Sequence, residues 1–262
     1  MMKQPLLDMR HVEICYNGQA VVQDVSIQME AGEILGIVGE SGSGKSTLVR
    51  SAMGLLGKAG AVTGGDIYYK GKNLLEAGQE AWRTLRGPEM GMIFQNTEAS
   101  LCPIRTIEDQ VYESVLEHEK ASRSQIRERA LELFGKMKLQ DGERILKSYP
   151  FELSGGMNQR VGIMMAMILK PALLLADEPT SALDVTVQAQ VVREMMKLRD
   201  SYGTGIAIVT HNMGVVEYMA DKIAVMHQGR LVEYGPKEQV IYHPREAYTK
   251  KLLGAVLRIH RG

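Results

Sequence analysis

The chain has 262 residues, 45% of them hydrophobic, and its 31 basic residues balance 31 acidic ones to a formal net charge of zero. That length suits one large domain or a core with an inserted subdomain, and a balanced charge without runs of one sign argues against a nucleic-acid groove or an anionic-lipid anchor. The longest apolar run, Ile163 to Leu169, falls far short of the ~20 residues that span a bilayer, and Met1 to Arg10 lacks an apolar signal core, so the chain is expected in the cytoplasm.

Residues 4 to 35 alternate short apolar stretches with turns such as Asn17-Gly18, which predicts an antiparallel layer of hairpins. Glu33 to Val38 reads as a buried strand and Ser46 to Leu56 as a helix. Between them, Gly39-Glu40-Ser41-Gly42-Ser43-Gly44-Lys45-Ser46-Thr47 satisfies the phosphate-loop pattern G-x-x-x-x-G-K-[ST] at every required position. Glycines let the backbone curl until successive N–H groups point inward, Lys45 adds positive charge beside the β- and γ-phosphates, and Ser46 is placed to ligate magnesium. The pattern predicts a nucleoside triphosphate site.

From Thr106 to Met137 the spacing is helical, with Ser122-Arg123-Ser124-Gln125 as a capping box and Ile126, Ala130, Leu133 and Met137 on one apolar face. Residues 97–160 therefore read as a helical insertion. Ser154 is a good N-cap for a helix reaching about Leu169, and Gly155 and Gly156 leave its first N–H groups unobstructed, which makes an anion site. Ala172 to Ala176, Ile206 to Thr210 and Ile223 to Met226 read as buried parallel strands, with the amphipathic helix Val185 to Arg199 between the first two. The first strand runs on into Asp177 and Glu178: a strand buried on both faces delivers Asp177 rigidly to magnesium, and Glu178 can take a proton from an attacking water. Val225 to Tyr234 predicts a hairpin. Cys15 and Cys102 have no metal spacing and read as free thiols, Met164, Met165 and Met167 as helix packing, and His11, His118, His227, His243 and His260 as surface or packing residues.

Leu153-Ser154-Gly155-Gly156-Met157-Asn158-Gln159-Arg160, lying between the phosphate loop and the acidic strand, resembles the signature of ATP-binding cassette (ABC) proteins. The resemblance implies an α/β fold, a phosphate-loop NTPase core with an N-terminal antiparallel β layer and an inserted helical subdomain. The cassette would span residues 1–236, with core 1–96 and 161–236, insertion 97–160 and a short tail 237–262. It also implies that Ser154, Gly155 and Gly156 meet the γ-phosphate held by a second subunit, that Tyr16 stacks on adenine, and that Gln95 senses magnesium and water. Ser181-Ala182-Leu183-Asp184 would line the dimer interface, Asp184 included, and His211 would contact the γ-phosphate. ATP and Mg2+ are the implied ligands, with Ser46, Gln95 and Asp177 on the metal and Glu178, His211 and Gln95 in catalysis.

Finer likeness is to the ATPase subunits of peptide and nickel importers, through Ala99-Ser100-Leu101-Cys102-Pro103, Thr210-His211-Asn212-Met213-Gly214-Val215-Val216 and Tyr248-Thr249-Lys250-Lys251-Leu252-Leu253. Cys102, Asn158, Asn212 and Glu246-Ala247 depart from that pattern. The likeness implies import of small peptides, nickel or metal-chelate complexes, a second and non-identical cassette chain, two transmembrane permease subunits, an extracytoplasmic solute-binding protein and a seat at the cytoplasmic face of the membrane. A soluble accessory ATPase of an enzyme complex, such as one cleaving phosphonates, shares much of the pattern. A chromosome or translation cassette would show two cassettes, a coiled-coil insertion or a basic surface.

Overall fold

The computed structural model describes residues 4–181 and 183–254. Ala182 of the Ser181-Ala182-Leu183-Asp184 motif and residues 255–262 of the expected tail, His260 among them, lie outside the described residues. The described residues form two compact units, one of residues 4–77 with 207–254 and one within residues 78–206.

The first unit opens with antiparallel strands β1 (Leu7–Tyr16) and β2 (Gln19–Met29) around the Asn17-Gly18 turn. Alternation sets their facing, but it is interrupted: His11 and Asp24 take φ of 50° and 51° at a shift of register. The extra residue there lets Met9 and Val12, three positions apart, both be buried. Next come β3 (Ile34–Val38), buried along its whole length, and α1 (Lys45–Ala52). The helix stops short of the expected Leu56 because Gly54, at φ 62°, turns the chain. The N–H groups of Gly54 and Leu55 then bond back to the Ser51 and Arg50 carbonyls at 3.0 and 2.9 Å, a glycine-ended C-cap. β4 (Gly60–Tyr69) and β5 (Lys72–Asn73) complete an antiparallel sheet of order β2-β1-β4-β5.

The second unit holds α2 (Gln79–Leu85), β6 (Met90–Ile93), α3 (Thr97–Ser100), α4 (Ile107–Leu116), α5 (Arg123–Lys136), α6 (Gly142–Lys147), α7 (Gly155–Met167), β7 (Leu173–Asp177) and α8 (Val185–Tyr202). α5 starts in the predicted capping box: Ser122 Oγ accepts the Gln125 N–H, and Gln125 Oε1 accepts the Ser122 N–H at 2.9 Å. Ile126, Ala130, Leu133 and Met137 are buried, while Arg127 pairs outward with Glu108 of α4 and Glu143 of α6. β6 and β7 pair in parallel from Met90↔Leu173 to Ile93↔Ala176.

β8 (Gly205–Val209) leads back into the first unit, which ends with α9 (Met213–Met219), β9 (Lys222–His227), β10 (Arg230–Pro236), α10 (Lys237–Tyr242) and α11 (Ala247–Gly254). Here the strand order is β10-β9-β3-β8, with β3 and β9 parallel and β9 and β10 forming the predicted hairpin. Ile223 to Met226 are fully buried, as a strand covered on both faces requires.

Candidate nucleotide site

The phosphate loop leaves the C-terminal end of β3 and runs into α1. Gly39 and Gly44 take φ of 150° and 93°, and neither has room for a side chain. A Cβ on Gly39 would lie 2.1 Å from the Met226 carbonyl oxygen, and one on Gly44 would lie 2.9 Å from that of Val21. Gly44 is also the N-cap of α1, so its position supplies no side-chain acceptor for the first-turn N–H groups. Those donors and the positive end of the helix dipole form a cradle for anionic oxygens.

Lys45 is only 4% exposed. Its Nζ curls into the loop and donates to the carbonyl oxygens of Gly39 and Glu40, at 2.9 and 2.6 Å, and to Ser43 Oγ at 3.4 Å. A buried ammonium needs such partners, and a phosphate in the same loop would meet it with full negative charge rather than carbonyl dipoles. Ser43 is buried and its carbonyl accepts the Gly229 N–H at 3.2 Å, which ties the loop to the β9–β10 turn. Ser41 and Gly42 are exposed, and Ser46 and Thr47 are half-buried in the first helical turn.

Two further predicted residues belong to this unit. His211 is exposed and follows β8, the neighbour of β3; the Thr210 N–H before it bonds the Ile37 carbonyl at 3.1 Å. Asn212 fixes the turn after it, its N–H on Thr210 Oγ1 at 3.0 Å and its Oδ1 accepting the Gly214 N–H at 2.9 Å as the cap of α9. Tyr16 ends β1 half-buried, its ring against Gly60, where a Cβ would come within 2.6 Å of Cε1.

In the second unit β7 ends in Asp177, which is wholly buried. Glu178 then takes φ 47°, a left-handed conformation uncommon for a side chain of its size. Its carbonyl accepts both the N–H and the hydroxyl of Ser181 at 3.2 Å, closing the turn, and its Oε2 accepts the Gln95 amide at 3.5 Å. The structure thus brings Gln95 and Glu178 together, at the ends of the paired strands β6 and β7.

Ser154 is the N-cap of α7, and its Oγ accepts the Met157 N–H at a long 3.4 Å. Around Gly155 a Cβ would meet nothing within 4 Å; at Gly156 it would lie 3.1 Å from Val187 Cγ1. The rest of the motif is anchored inside the unit. Asn158 Nδ2 donates to the Pro150 carbonyl at 3.0 Å, Gln159 Oε1 accepts the Thr97 hydroxyl at 2.8 Å, and Arg160 Nε pairs with Glu194 Oε2 at 3.1 Å. Glu194 is 3% exposed, and burial pushes its carboxyl up more than the Arg160 charge draws it down. Asp184 caps α8, Oδ1 accepting the Thr186 and Val187 N–H groups at 3.0 Å. Sequence reading omitted Thr97 and Glu194, because a buried partner tens of residues away leaves no periodic or spacing signal. A cleft of about 240 Å³ opens in this unit beyond Gln95, lined by Phe94, Thr97, Leu101, Ser114 and Met165 among others.

Comparison with known proteins gives a consistent picture. A family profile described as ABC transporter matches residues 22–181. The chain is 44% identical to a candidate peptide import ATP-binding protein of Brucella melitensis over 99% of its own length and 80% of the relative's. It is 40% identical to the dipeptide transport ATP-binding protein of Lactococcus lactis subsp. cremoris, over 98% and 75% of the two chains. Among solved structures, a bacterial ABC transporter cassette determined as a dimer superposes with a TM-score of 0.78 at 27% identity, covering 88% of this chain and 98% of that one. Its post-hydrolysis dimer, bound to ADP and Pi, gives 0.77. Clostridium perfringens cbiO1, at 23% identity and a TM-score of 0.80 over 92% of each chain, shares the fold.

Proposed function

Because this chain belongs to the ABC transporter family and is one of its ATP-hydrolysing cassettes, we propose that it energises an importer of small peptides, working beneath two transmembrane permease subunits with a second, non-identical cassette chain. The observation that supports the cargo class is the identity of 40–44% over nearly the whole chain to proteins designated for peptide import and dipeptide transport. Nickel or metal-chelate cargo belongs to the wider likeness and has no such support among these relatives. An extracytoplasmic solute-binding protein would deliver the cargo. Among the described residues no helix is long and apolar enough to cross a membrane. In the proposed assembly the permease holds the chain at the cytoplasmic face. The cleft beyond Gln95 and the neighbouring Ile104, 83% exposed, are the proposed permease seat.

The residues fit ATP and Mg2+ by donor chemistry. The Gly44 cap and Lys45 offer N–H and ammonium donors to phosphate oxygens, and Tyr16 offers a ring face to the purine. Ser46, Gln95 and Asp177 offer the hard oxygens that Mg2+ prefers. When bound, Mg2+ would supply charge neutralisation to the phosphate oxygens. Glu178 holds the proton taken from water, and its strained turn with the Gln95 amide orients the carboxylate for that role. His211 contacts the γ-phosphate and orders the attacking water. Ser154, Gly155 and Gly156 serve the nucleotide of the partner cassette, with Asp184 on the shared face.

The test is Glu178→Gln in the reconstituted transporter. Nucleotide binding should be retained, phosphate release should fall by about 10²- to 10⁴-fold, and ATP should hold the cassettes together on size exclusion. Substantial residual turnover would exclude Glu178 as the base. Peptide uptake into vesicles, with nickel uptake in parallel, decides the cargo.

A further inference from the structure

Helix α11 is built onto the phosphate loop itself. Tyr248, in its first turn, accepts the Glu40 N–H on its hydroxyl at 3.0 Å, across 208 positions of sequence. The Glu40 carbonyl accepts from Lys45 Nζ at 2.6 Å. The peptide groups flanking Glu40 are therefore held from two sides, by a phenol hydroxyl at one and by the ammonium at the other.

Tyr248 is fixed in turn. Its ring stacks on His227, with centroids 3.9 Å apart and planes inclined by 30°, and His227 ends β9 just before the turn whose Gly229 bonds Ser43. The helix start is clamped by Glu233 of β10, whose two carboxylate oxygens accept the N–H groups of Arg245 and Glu246 at 2.8 and 3.3 Å. Thr249 is fully buried and Leu253 nearly so, seating the helix against the unit. Every link in this chain of contacts, from Glu233 through Tyr248 and Glu40 to Lys45, lies within one compact unit.

We infer that Tyr248 is a positioning residue for the nucleotide: through the Glu40 N–H it sets the loop geometry from which Lys45 meets the triphosphate, making α11 part of the binding site. The inference rests on the reading that residues 39–47 hold the phosphates. Glu40 is exposed and follows Gly39 in a glycine-rich loop, where the backbone has several accessible orientations. A single hydrogen bond to a ring held by stacking removes part of that freedom before nucleotide arrives, which favours binding by preorganisation.

The test uses the full chain and a fluorescent ATP analogue with magnesium. Tyr248→Phe keeps the ring and its stacking but removes the acceptor. It should weaken nucleotide binding about three- to tenfold, the size expected for one hydrogen bond, while the melting temperature falls by no more than about 4 °C. In the assembled transporter the same variant should raise KM for ATP and leave kcat within about twofold. His227→Ala, which loosens the ring without removing the hydroxyl, should give a smaller shift in the same direction. Unchanged affinity in Tyr248→Phe, alongside lost affinity in Lys45→Ala, overturns the role of Tyr248 alone. Retained affinity in Lys45→Ala overturns the reading of the loop on which it rests.

Discussion

Helices α1 and α7 both begin at glycine-rich segments, yet their N-termini are built differently. α1 starts from Gly44, left-handed and without a side chain, under the Val21 carbonyl and with Lys45 almost wholly buried. α7 starts from Ser154, extended, its hydroxyl on the Met157 N–H at 3.4 Å and with open space around Gly155. The first terminus is a backbone cradle enclosed by its own unit, suited to holding an anion by itself. The second carries a weak cap of its own that an incoming anion can replace, suited to an anion brought by another molecule. The anchors behind the α7 terminus sharpen the contrast: Asn158, Gln159 and Arg160 are all bonded inside the unit, whereas Ser154 and Gly155 are exposed.

The comparison breaks most visibly at Lys45. A charge pair ~4 Å apart is worth about 4 kcal/mol at an effective dielectric of 20, so Lys45→Ala should weaken ATP binding by roughly a thousandfold. Equilibrium titration with a fluorescent nucleotide measures it, and a loss below tenfold would mean that α1 does not hold the phosphates. Gly44→Ala comes next. A β-carbon in the left-handed region, 2.9 Å from the Val21 carbonyl, should cost about 1–3 kcal/mol of stability, seen as a lower melting temperature together with weaker nucleotide binding. The smallest effect is expected at the other helix. Ser154→Ala should cost about 1 kcal/mol, and Ser154→Gly only a few tenths, with nucleotide affinity of the isolated chain unchanged in both. In the paired cassettes Ser154→Ala should slow hydrolysis of the nucleotide bound by the partner's lysine, read as trapped nucleotide per site. An affinity loss in the isolated chain would erase the distinction between the two helices.

Much of this contrast is legible along the chain. The Ser122 capping box, the Ser154 cap and the phosphate loop span fewer than ten residues each, and their hydrogen bonds close locally, so Ser122 and Ser154 show as helix caps and Gly39 and Gly44 as loop glycines by spacing. The buried strands β7, β8 and β9 read clearly as short apolar runs. β4 does not, because Gly60, Gly64 and Gly65 interrupt its alternation and only Ile67 and Tyr69 are buried within it; pairing with β1 makes it a strand. Helix α1 reads too long for a related reason: the apolar Leu55 and Leu56 continue the pattern, while Gly54 already turns the backbone.

By itself the sequence determines the elements whose causes are local: strand and helix periods, caps, and the residue types that phosphate, magnesium and a proton-accepting carboxylate require. Tertiary structure alone decides which distant groups hold those residues in place. Lys45 donates to loop carbonyls, Arg160 pairs through Nε with Glu194, Gln95 lies against Glu178, and Glu40 is held by Tyr248. Such contacts join residues 34 to 208 positions apart, except within the loop, and a hydrogen bond depends on proximity and angle, which spacing along a chain encodes only when the backbone between the partners is one regular turn.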